Sequence, residues 1–347
     1  MSKKAQLLFG TLLVAASLVV SLLIIELALR FLTPSVKIKN GKPVREQVAE
    51  RPKRYYVPTT ANSLRGNTSS IDKPNDTFRI SVVGDSFTFA PKMQYFDAFP
   101  FKLQTFLQGN PAAKRIEVRS YGTPGASTKD EVALVENALT AKSDLIVLEI
   151  TLNDPQLEPF RKAPPAFTPD QATSPIKKLL YSSALYRFVA QRLFNAQSYQ
   201  RYIDYHHDLF QNPVTRQNFE QSLQRIATLT QEAHVPLVVV VLPLFDFPFQ
   251  EYPLHDIHQQ IGTFVKNLGV PFLDLLPRFL KTDTTRLQVV PTVDNHPNEI
   301  AHRIIAEELY EFLMKNNLLG GDYSGLFFSY RESVFQREHA RRFQAAP

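Results

Sequence analysis

The chain has 347 residues, of which 44% are hydrophobic and 21% are charged, so it can bury a substantial core and does not have a disordered composition. It contains no cysteine, which excludes disulfides, thiolate catalysis, cysteine-ligated zinc and a lipidated cysteine. The net charge is +6, but its basic residues concentrate in two stretches without RNA-binding motifs, so no nucleic-acid partner is expected.

An uncharged apolar run opens the chain. Residues 5–25 carry no charged side chain and follow Lys3 and Lys4, and about 20 helical residues span a bilayer. A cleaved signal peptide is the alternative, but its apolar core is usually about 7–15 residues long. The run therefore predicts a single-pass anchor, residues 1–32, in the cell inner membrane.

The orientation of this anchor is less directly encoded. Basic residues after the run outnumber the two lysines before it, and a literal positive-inside count favours a cytoplasmic domain. Large domains translocate largely regardless of flanking charge. We therefore expect the following domain on the periplasmic or extracytoplasmic side.

Composition divides the rest of the chain into three parts. Residues 33–76 are polar, basic and proline-containing, and predict a linker and cap. Residues 77–316 predict the main domain, with a helical insertion at 155–215 placed over the carboxyl edge of its sheet, because a structureless connection of that length is improbable. Residues 317–347 form a C-terminal tail to which the sequence assigns no role.

Short runs rich in Val, Ile and Leu alternate with helical patterns from residue 77 onward. Unbroken runs of this kind are typical of strands buried on both faces, and they lie at 78–83, 116–120, 144–150, 236–242 and 271–275. Helical patterns lie at 99–107, 129–141, 216–233, 252–268 and 298–315. This alternation predicts an α/β fold with a parallel sheet and helices on both of its faces.

The first candidate functional segment, Gly84-Asp85-Ser86, follows the first predicted strand. Ligands of open parallel sheets bind at the carboxyl ends of the strands. A hydroxyl on a tight turn at that edge is a candidate nucleophile, and glycine permits such a turn. An ordinary strand-to-helix turn capped by Asp85 or Ser86 is the alternative.

Two further segments supply candidate hydrogen-bond donors at the same edge. The loop after the second strand contains Gly122 and Gly125, and it can direct a backbone N–H at an oxyanion. Asn153 follows the third strand, and its amide can donate a second hydrogen bond to that oxyanion. Taken alone, each segment is also compatible with a plain turn.

The fourth segment, Asp294-Asn295-His296, precedes the last predicted helix. A serine hydroxyl becomes a nucleophile when an imidazole takes its proton, and a carboxylate holds that imidazole in the required tautomer. Asp294 and His296 are therefore candidate partners of Ser86. No cofactor or metal is expected, because the chain has no phosphate-binding glycine loop and no His-carboxylate set at metalloenzyme spacing.

These four segments resemble the blocks of the SGNH (GDSL-type) hydrolase superfamily over about residues 77–155 and 216–316. The resemblance implies a three-layer α/β/α sandwich with a flavodoxin-like parallel sheet. It also implies a role for each matching residue: Ser86 as nucleophile and N–H donor, Gly125 and Asn153 as oxyanion donors, His296 as base and Asp294 as the acid that orients it.

Two positions depart from the usual pattern of that superfamily. Thr151 stands where the third block usually has glycine, and a bulkier residue there is expected to narrow the pocket. Only Asn295 separates Asp294 from His296, whereas two residues are frequent, which leaves the geometry of the acid open.

The resemblance implies a serine-dependent acyl-ester hydrolase in the cell envelope, with an O-acetyl group among its substrates. The ester would belong to a small molecule, a lipid or a polysaccharide. Two alternatives stay open: an O-acyltransferase that modifies a cell-surface polysaccharide, and a non-catalytic glycan- or lipid-binding module. Protein partners are not indicated.

Overall fold

A computed structural model describes residues 3–32, 38–39, 42–43, 73–108, 115–157, 180, 182–290 and 294–320. Most of the predicted linker, residues 158–179 of the predicted insertion and the tail beyond residue 320 lie outside the described residues. The chain divides into two compact units, residues 1–50 with 161–204 and residues 51–160 with 205–347.

The described helices are α1 Lys3–Leu32, α2 Ser86–Phe89, α3 Phe99–Leu107, α4 Thr128–Thr140, α5 Ala184–Gln211, α6 Pro213–Glu232, α7 His255–Asn267, α8 Leu276–Phe279 and α9 Glu299–Lys315. The described strands are β1 Ile38–Lys39, β2 Lys42–Pro43, β3 Thr77–Gly84, β4 Arg115–Gly122, β5 Leu145–Ile150, β6 Leu237–Val241, β7 Phe272–Asp274, β8 Gln288–Val290 and β9 Asp294–Pro297. The five strands and five helices predicted for the main domain are thereby confirmed.

In the first unit, α1 is a helix long and apolar enough to cross a membrane, with exposed leucine, valine and isoleucine side chains. Its last turns carry Glu26 and Arg30, which form an ion pair at 2.8 Å. The Glu26 carboxylate also accepts hydrogen bonds from the backbone N–H groups of Ala184 and Leu185, each at 2.8 Å. Glu26 thus supplies acceptors for otherwise unpaired donors at the beginning of α5.

The second unit contains a five-stranded sheet with the order β4-β3-β5-β6-β7, in which every pair is parallel. Each of β3, β5 and β6 lies between two other strands, which explains why their sequences are rich in Val, Ile and Leu. Ile80, Val82, Val147 and Val239 are fully buried there. Burial stabilises the fold by roughly 1.5–3 kcal/mol for each such side chain.

The strand order creates a switch point between β3 and β5. The chain runs outward from β3 to β4 and then returns past β3 to β5. Counted within this sheet, the order is 2-1-3-4-5, that of flavodoxin-like folds, whose ligands bind at the carboxyl ends of the strands beside the switch point. The loops after β3, β4 and β5 therefore meet where three of the four predicted functional segments lie.

Helices cover both faces of this sheet. On one face α3 packs against α9, and on the other α4 packs against α6. Right-handed crossover connections require this separation, because the β3-to-β4 and β4-to-β5 connections run in opposite directions. The predicted three-layer α/β/α class is confirmed. The position of the insertion over the sheet edge stays a prediction.

Candidate active site

Ser86 lies at the turn between β3 and the short helix α2. Asp85 caps α2, with its Oδ1 accepting from the Phe87 N–H at 2.7 Å. A side chain at position 84 would collide with Glu149 Oε2 and Thr88 Oγ1, which hydrogen-bond to each other at 2.8 Å. Glycine is therefore required at this position by lack of space, and not by the conformational freedom expected from the sequence, because Gly84 ends β3 without a positive φ.

The β8–β9 hairpin brings Asp294 and His296 to this turn. His296 Nε2 lies 3.0 Å from Ser86 Oγ, although the two residues are 210 positions apart in the chain. His296 Nδ1 lies 2.6 Å from Asp294 Oδ1. A single intervening residue therefore suffices for the carboxylate to reach the imidazole. The three side chains form the hydrogen-bonded row that a serine nucleophile and its base require.

Three contacts fix the hairpin that carries His296. The side-chain amide of Asn298 donates to Arg286 O at 2.9 Å, and its Oδ1 caps α9. Asn295 Nδ2 donates to Asp246 Oδ1 at 2.7 Å, which ties β9 to the loop after β6. The Phe87 ring packs edge-on against the His296 ring with 5.7 Å between the centroids. The position of the imidazole is thus fixed by the contacts of Asn295 and Asn298 on either side of it in the chain and by the ring of Phe87.

Charge around the imidazole is dominated by Asp294. Its side chain is only 9% exposed, and its Oδ2 accepts from Lys92 Nζ at 2.5 Å. Burial alone would raise the pKa of Asp294, but the hydrogen bonds from His296 and Lys92 reverse that effect and hold the pKa below its ordinary value. Asp294 is therefore ionised at neutral pH, as an acid that orients an imidazole must be.

Gly125 lies in the turn that follows β4. Ala126 N–H donates to Thr123 O at 3.0 Å, with Pro124 and Gly125 as the two central residues. Gly125 has a φ of 79°, which glycine adopts without strain and which suits the third position of a type II turn. Thr123 N–H donates to Gly84 O at 3.0 Å, so this loop is attached to the end of β3.

Asn153 and Thr151 follow β5 and lie beside Asp85. Asn153 Nδ2 donates to Asp85 Oδ2 at 3.3 Å, and Thr151 Oγ1 donates to Asn153 Oδ1. Thr151 is fully buried, and its hydroxyl also lies 3.0 Å from Asp85 Oδ2 and 3.3 Å from Asp154 Oδ1. The Thr151 hydroxyl faces these polar groups and orients the Asn153 amide, and the narrowing of the pocket by Thr151 stays a prediction.

Four carboxyl side chains are buried beneath the nucleophile turn, and we call them the buried carboxyl cluster: Asp85, Glu131, Glu149 and Asp154. Burial is the main cause that raises the pKa of each, and the proximity of the carboxyls to one another adds to the effect for Glu131, Glu149 and Asp154. Neither carboxyl oxygen of Glu131 has a hydrogen-bond partner among the described residues. The cluster therefore favours protonated side chains.

Among the described residues, no group of three or more His, Asp or Glu side chains is arranged to hold a metal ion. At the end of β3, the Ser86 hydroxyl instead lies beside the imidazole of His296, which contacts the ionised Asp294. These are the groups that acyl transfer through a serine requires. A family model, the GDSL-like Lipase/Acylhydrolase family, matches residues 82–304. The chain belongs to this family. As a GDSL-like member it is an ester-hydrolysing enzyme, and the predicted enzyme class is confirmed.

Solved structures similar to this GDSL-like chain include three esterases or hydrolases. An acetylxylan esterase from Geobacillus stearothermophilus is 14% identical, with 68% of this chain and 94% of the other covered and a TM-score of 0.44. An α/β hydrolase enzyme from the metagenome of Lake Arreo, Spain, is 15% identical, with 68% and 94% covered and a TM-score of 0.44. An acetyl xylan esterase is 14% identical, with 67% and 98% covered and a TM-score of 0.44. No curated protein matches the chain.

Several residues at the site of this GDSL-like enzyme escaped the sequence analysis. Lys92 and Asp246 contact β9 residues from distant loops, and no local pattern points to either. Glu149 did leave a signal, because it interrupts the apolar strand Leu145–Ile150 with a charge. Glu131 left none, since an acidic residue in the first turn of α4 is ordinary.

Proposed function

We propose that the chain hydrolyses acyl esters through Ser86 as nucleophile, His296 as general base and Asp294 as the acid that orients the base. The observation that carries this proposal is the row Ser86 Oγ to His296 Nε2 at 3.0 Å and His296 Nδ1 to Asp294 Oδ1 at 2.6 Å. Ser86 is only partly buried, so a carbonyl group can approach its hydroxyl.

The proposed reaction has two steps that conserve atoms and protons. His296 Nε2 takes the Ser86 proton while Oγ bonds to the ester carbonyl carbon, and the imidazolium then gives that proton to the leaving alcohol. This step leaves an acyl-serine. His296 next takes a proton from water while the water oxygen bonds to the acyl carbon. The bond between that carbon and Ser86 Oγ then breaks, the imidazolium returns its proton to Oγ, and the carboxylic acid is released.

The tetrahedral oxyanion formed in each step needs hydrogen-bond donors. We assign this role to the backbone N–H groups of Ser86 and Gly125 and to the side-chain amide of Asn153. The turn geometry at Gly125 supports the assignment, since the turn's own hydrogen bond uses the Ala126 N–H. For Asn153 the support is that its oxygen accepts from Thr151 and one amide N–H donates to Asp85 Oδ2, which fixes the amide and leaves its second N–H for the oxyanion. Each such donor contributes roughly 3 kcal/mol in the transition state.

The cell envelope is the proposed location. The support is α1, which is apolar throughout its central part and has the length of a bilayer-spanning helix. We propose that α1 stays attached, in the cell inner membrane, with the catalytic domain on the outer side. Because the chain has no cysteine, a Lys142→Cys variant tests this orientation in intact spheroplasts. Labelling by a membrane-impermeant maleimide is expected, and labelling only after lysis would place the domain in the cytoplasm.

The substrate proposed is an O-acyl ester, with the O-acetyl groups of envelope polysaccharides as the leading case. The full-length protein in detergent should hydrolyse p-nitrophenyl esters, and a series from acetyl to octanoyl reports the preferred acyl length. Ser86→Ala and His296→Ala should each lower kcat by at least about 10³-fold. Circular dichroism should show that both variants keep their fold. Wild-type rates in both would refute the catalytic assignment.

The alternatives produce different results in the same experiment. When an acetyl ester is incubated with and without a polysaccharide acceptor, free acetate alone indicates a hydrolase, and acetylated sugar indicates an acyltransferase. A binding module would leave Ser86 unreactive toward a fluorophosphonate and still bind glycan or lipid.

A further inference from the structure

Lys92 occupies the outer side of the carboxylate that orients His296. Asp294 Oδ1 lies 2.6 Å from His296 Nδ1, and Oδ2 accepts from Lys92 Nζ at 2.5 Å. The carboxylate therefore bridges an imidazole and an ammonium group, with each oxygen committed to one of them. Rotation of the carboxyl about its Cβ–Cγ bond would break both contacts together.

The backbone that carries Lys92 is held in an unusual conformation. Ala90 and Lys92 have φ values of 55° and 59°, in the left-handed region that non-glycine residues seldom adopt. Such backbone strain persists where the surrounding structure enforces it, often at functional sites. Ala90 N–H also donates to Ser86 O at 2.9 Å, so the turn begins at the helix that carries the nucleophile.

Packing attaches this turn to the other half of the site. Ala90, Met93 and Ala98 are 1–2% exposed and form one apolar cluster with Val289 of β8. Because β8 pairs with β9, the same cluster fixes the turn against the hairpin that carries Asp294 and His296. The buried side chains of Ala90 and Met93 therefore fix the backbone on either side of Lys92, although 58% of the Lys92 side chain is exposed.

The charge of Lys92 opposes the charge of Asp294 beside the imidazole. Asp294 is ionised, and its Oδ1 lies 2.6 Å from His296 Nδ1, so its negative charge acts directly on the ring. Ionised carboxylates stabilise a protonated imidazole, which cannot act as a base. An ammonium at the far side of Asp294 offsets part of this effect while leaving the carboxylate in place to orient the ring.

We propose that Lys92 is a positioning residue of this esterase, which holds the Asp294 carboxylate against His296 and limits its stabilisation of the imidazolium. This inference rests on the catalytic assignment of Ser86, His296 and Asp294. The competing interpretation is an ordinary surface ion pair, which contributes little to stability and nothing to catalysis.

Three variants separate these interpretations. Lys92→Asn removes the ammonium and tolerates the left-handed backbone, because asparagine is enriched there. Lys92→Arg restores a cation. Lys142→Asn is the matched control: Lys142 also has a left-handed φ, 58°, and is exposed, but it lies at the end of α4 at the opposite edge of the sheet. The measurements are kcat and KM for a p-nitrophenyl ester, the pH profile of kcat/KM and Tm.

We expect Lys92→Asn to lower kcat by about 5- to 30-fold with KM within about twofold, because the base is misplaced while substrate binding is unchanged. The acidic limb of kcat/KM should move to higher pH by about half a unit. Lys92→Arg should recover most of kcat, and Tm of every variant should stay within about 2 °C of wild type. High salt should slow the wild type more than Lys92→Asn.

An unchanged kcat and an unchanged acidic limb in Lys92→Asn would overturn the proposal and leave a surface ion pair. An equal loss in Lys142→Asn would also overturn it, since general charge or backbone effects would then explain the result. The Ser86→Ala control separates this failure from failure of the proposed function: if Ser86→Ala abolishes turnover while Lys92→Asn does not, only the role of Lys92 is wrong.

Discussion

Asp294 and the buried carboxyl cluster both lie close to the turn that carries Ser86, and their pKa values are shifted in opposite directions. Asp294 is held at the sheet edge between His296 and Lys92, and both neighbours favour its ionised form. The buried carboxyl cluster lies beneath the same turn, where burial and mutual repulsion raise the pKa of its members. Asp294 accepts hydrogen bonds from Lys92 and His296, which are cationic or can become so. The carboxyls of the cluster accept mainly from hydroxyl and backbone N–H groups.

The difference shows that surroundings, and not residue type, decide which carboxyl carries charge. A buried carboxyl is ionised only where partners compensate the loss of water. The surroundings of Thr151 show the opposite case, in which buried carboxyls have too few donors to be ionised. The single hydroxyl proton of Thr151 faces acceptors on Asp85, Asn153 and Asp154. Because that proton is donated to Asn153 Oδ1, the other two contacts are hydrogen bonds only when Asp85 and Asp154 are both protonated and donate to the Thr151 oxygen.

The largest effect is expected where the charge itself is required. Asp294→Asn keeps the shape of the side chain but removes its charge and offers an N–H donor, which favours the wrong imidazole tautomer. We expect kcat to fall by about 10³- to 10⁴-fold with the fold retained, as judged by steady-state kinetics and circular dichroism. A loss below about tenfold would mean that Asp294 is dispensable and that the comparison between Asp294 and the buried carboxyl cluster is mistaken.

A smaller effect on kcat is expected at Thr151, which contacts both Asn153 and the buried carboxyl cluster. Thr151→Val has nearly the same volume as the native side chain but lacks the hydroxyl that orients Asn153. We expect kcat to fall by about 3- to 10-fold and the free energy of unfolding to fall by about 1 kcal/mol, because buried acceptors lose a donor. Thr151→Ser, which keeps the hydroxyl, should behave like wild type. If valine and serine are equally active, the hydroxyl has no role in positioning the amide.

The smallest effect on activity is expected inside the buried carboxyl cluster. Glu131→Gln imitates the protonated side chain, so activity at pH 7 should stay within about twofold of wild type. Because the folded state raises the pKa of Glu131, native protein binds a proton that the unfolded chain releases above about pH 4.5. The free energy of unfolding of the wild type therefore falls as the pH rises from about 4.5 to the raised pKa of Glu131 in the folded state.

Glutamine removes this dependence, so Tm of Glu131→Gln should exceed that of the wild type by about 2–5 °C above pH 8 and match it near pH 4. Thermal unfolding at both pH values measures the difference. Glu136→Gln, an exposed position on the same helix, is the control and should leave Tm unchanged. A lower Tm for Glu131→Gln at alkaline pH would indicate that Glu131 is ionised and paired in the native state.

Local sequence was sufficient to predict much of the fold and of the site. The strands at residues 77–84 and 145–150 are rich in Val, Ile and Leu, although the first also contains Thr77, Arg79 and Ser81 and the second contains Glu149. Ser86, Gly125 and Asn153 each follow a strand directly, so a parallel sheet brings them to one edge whatever its further details. Asp294 and His296 are close in sequence, and a single turn can orient one against the other.

Other features depend on contacts between distant segments. Lys92 meets Asp294 across 202 positions because a strained turn after α2 packs on β8. Asp246 reaches Asn295 from the loop after β6, and the hydroxyl of Thr151 faces inward because Asp85 and Asn153 lie beneath it. None of these contacts leaves a periodicity or a spacing in the chain.

The sequence by itself determined the class of the sheet, and it predicted the sheet edge, the hydroxyl, the imidazole and the acid that the proposed chemistry uses. These follow from short-range patterns, since burial period and strand-end position are local properties. The tertiary structure decided which carboxyls are ionised, which way the Thr151 hydroxyl points and which lysine faces Asp294. Protonation and orientation depend on desolvation and on partners from other segments, and a one-dimensional pattern carries neither.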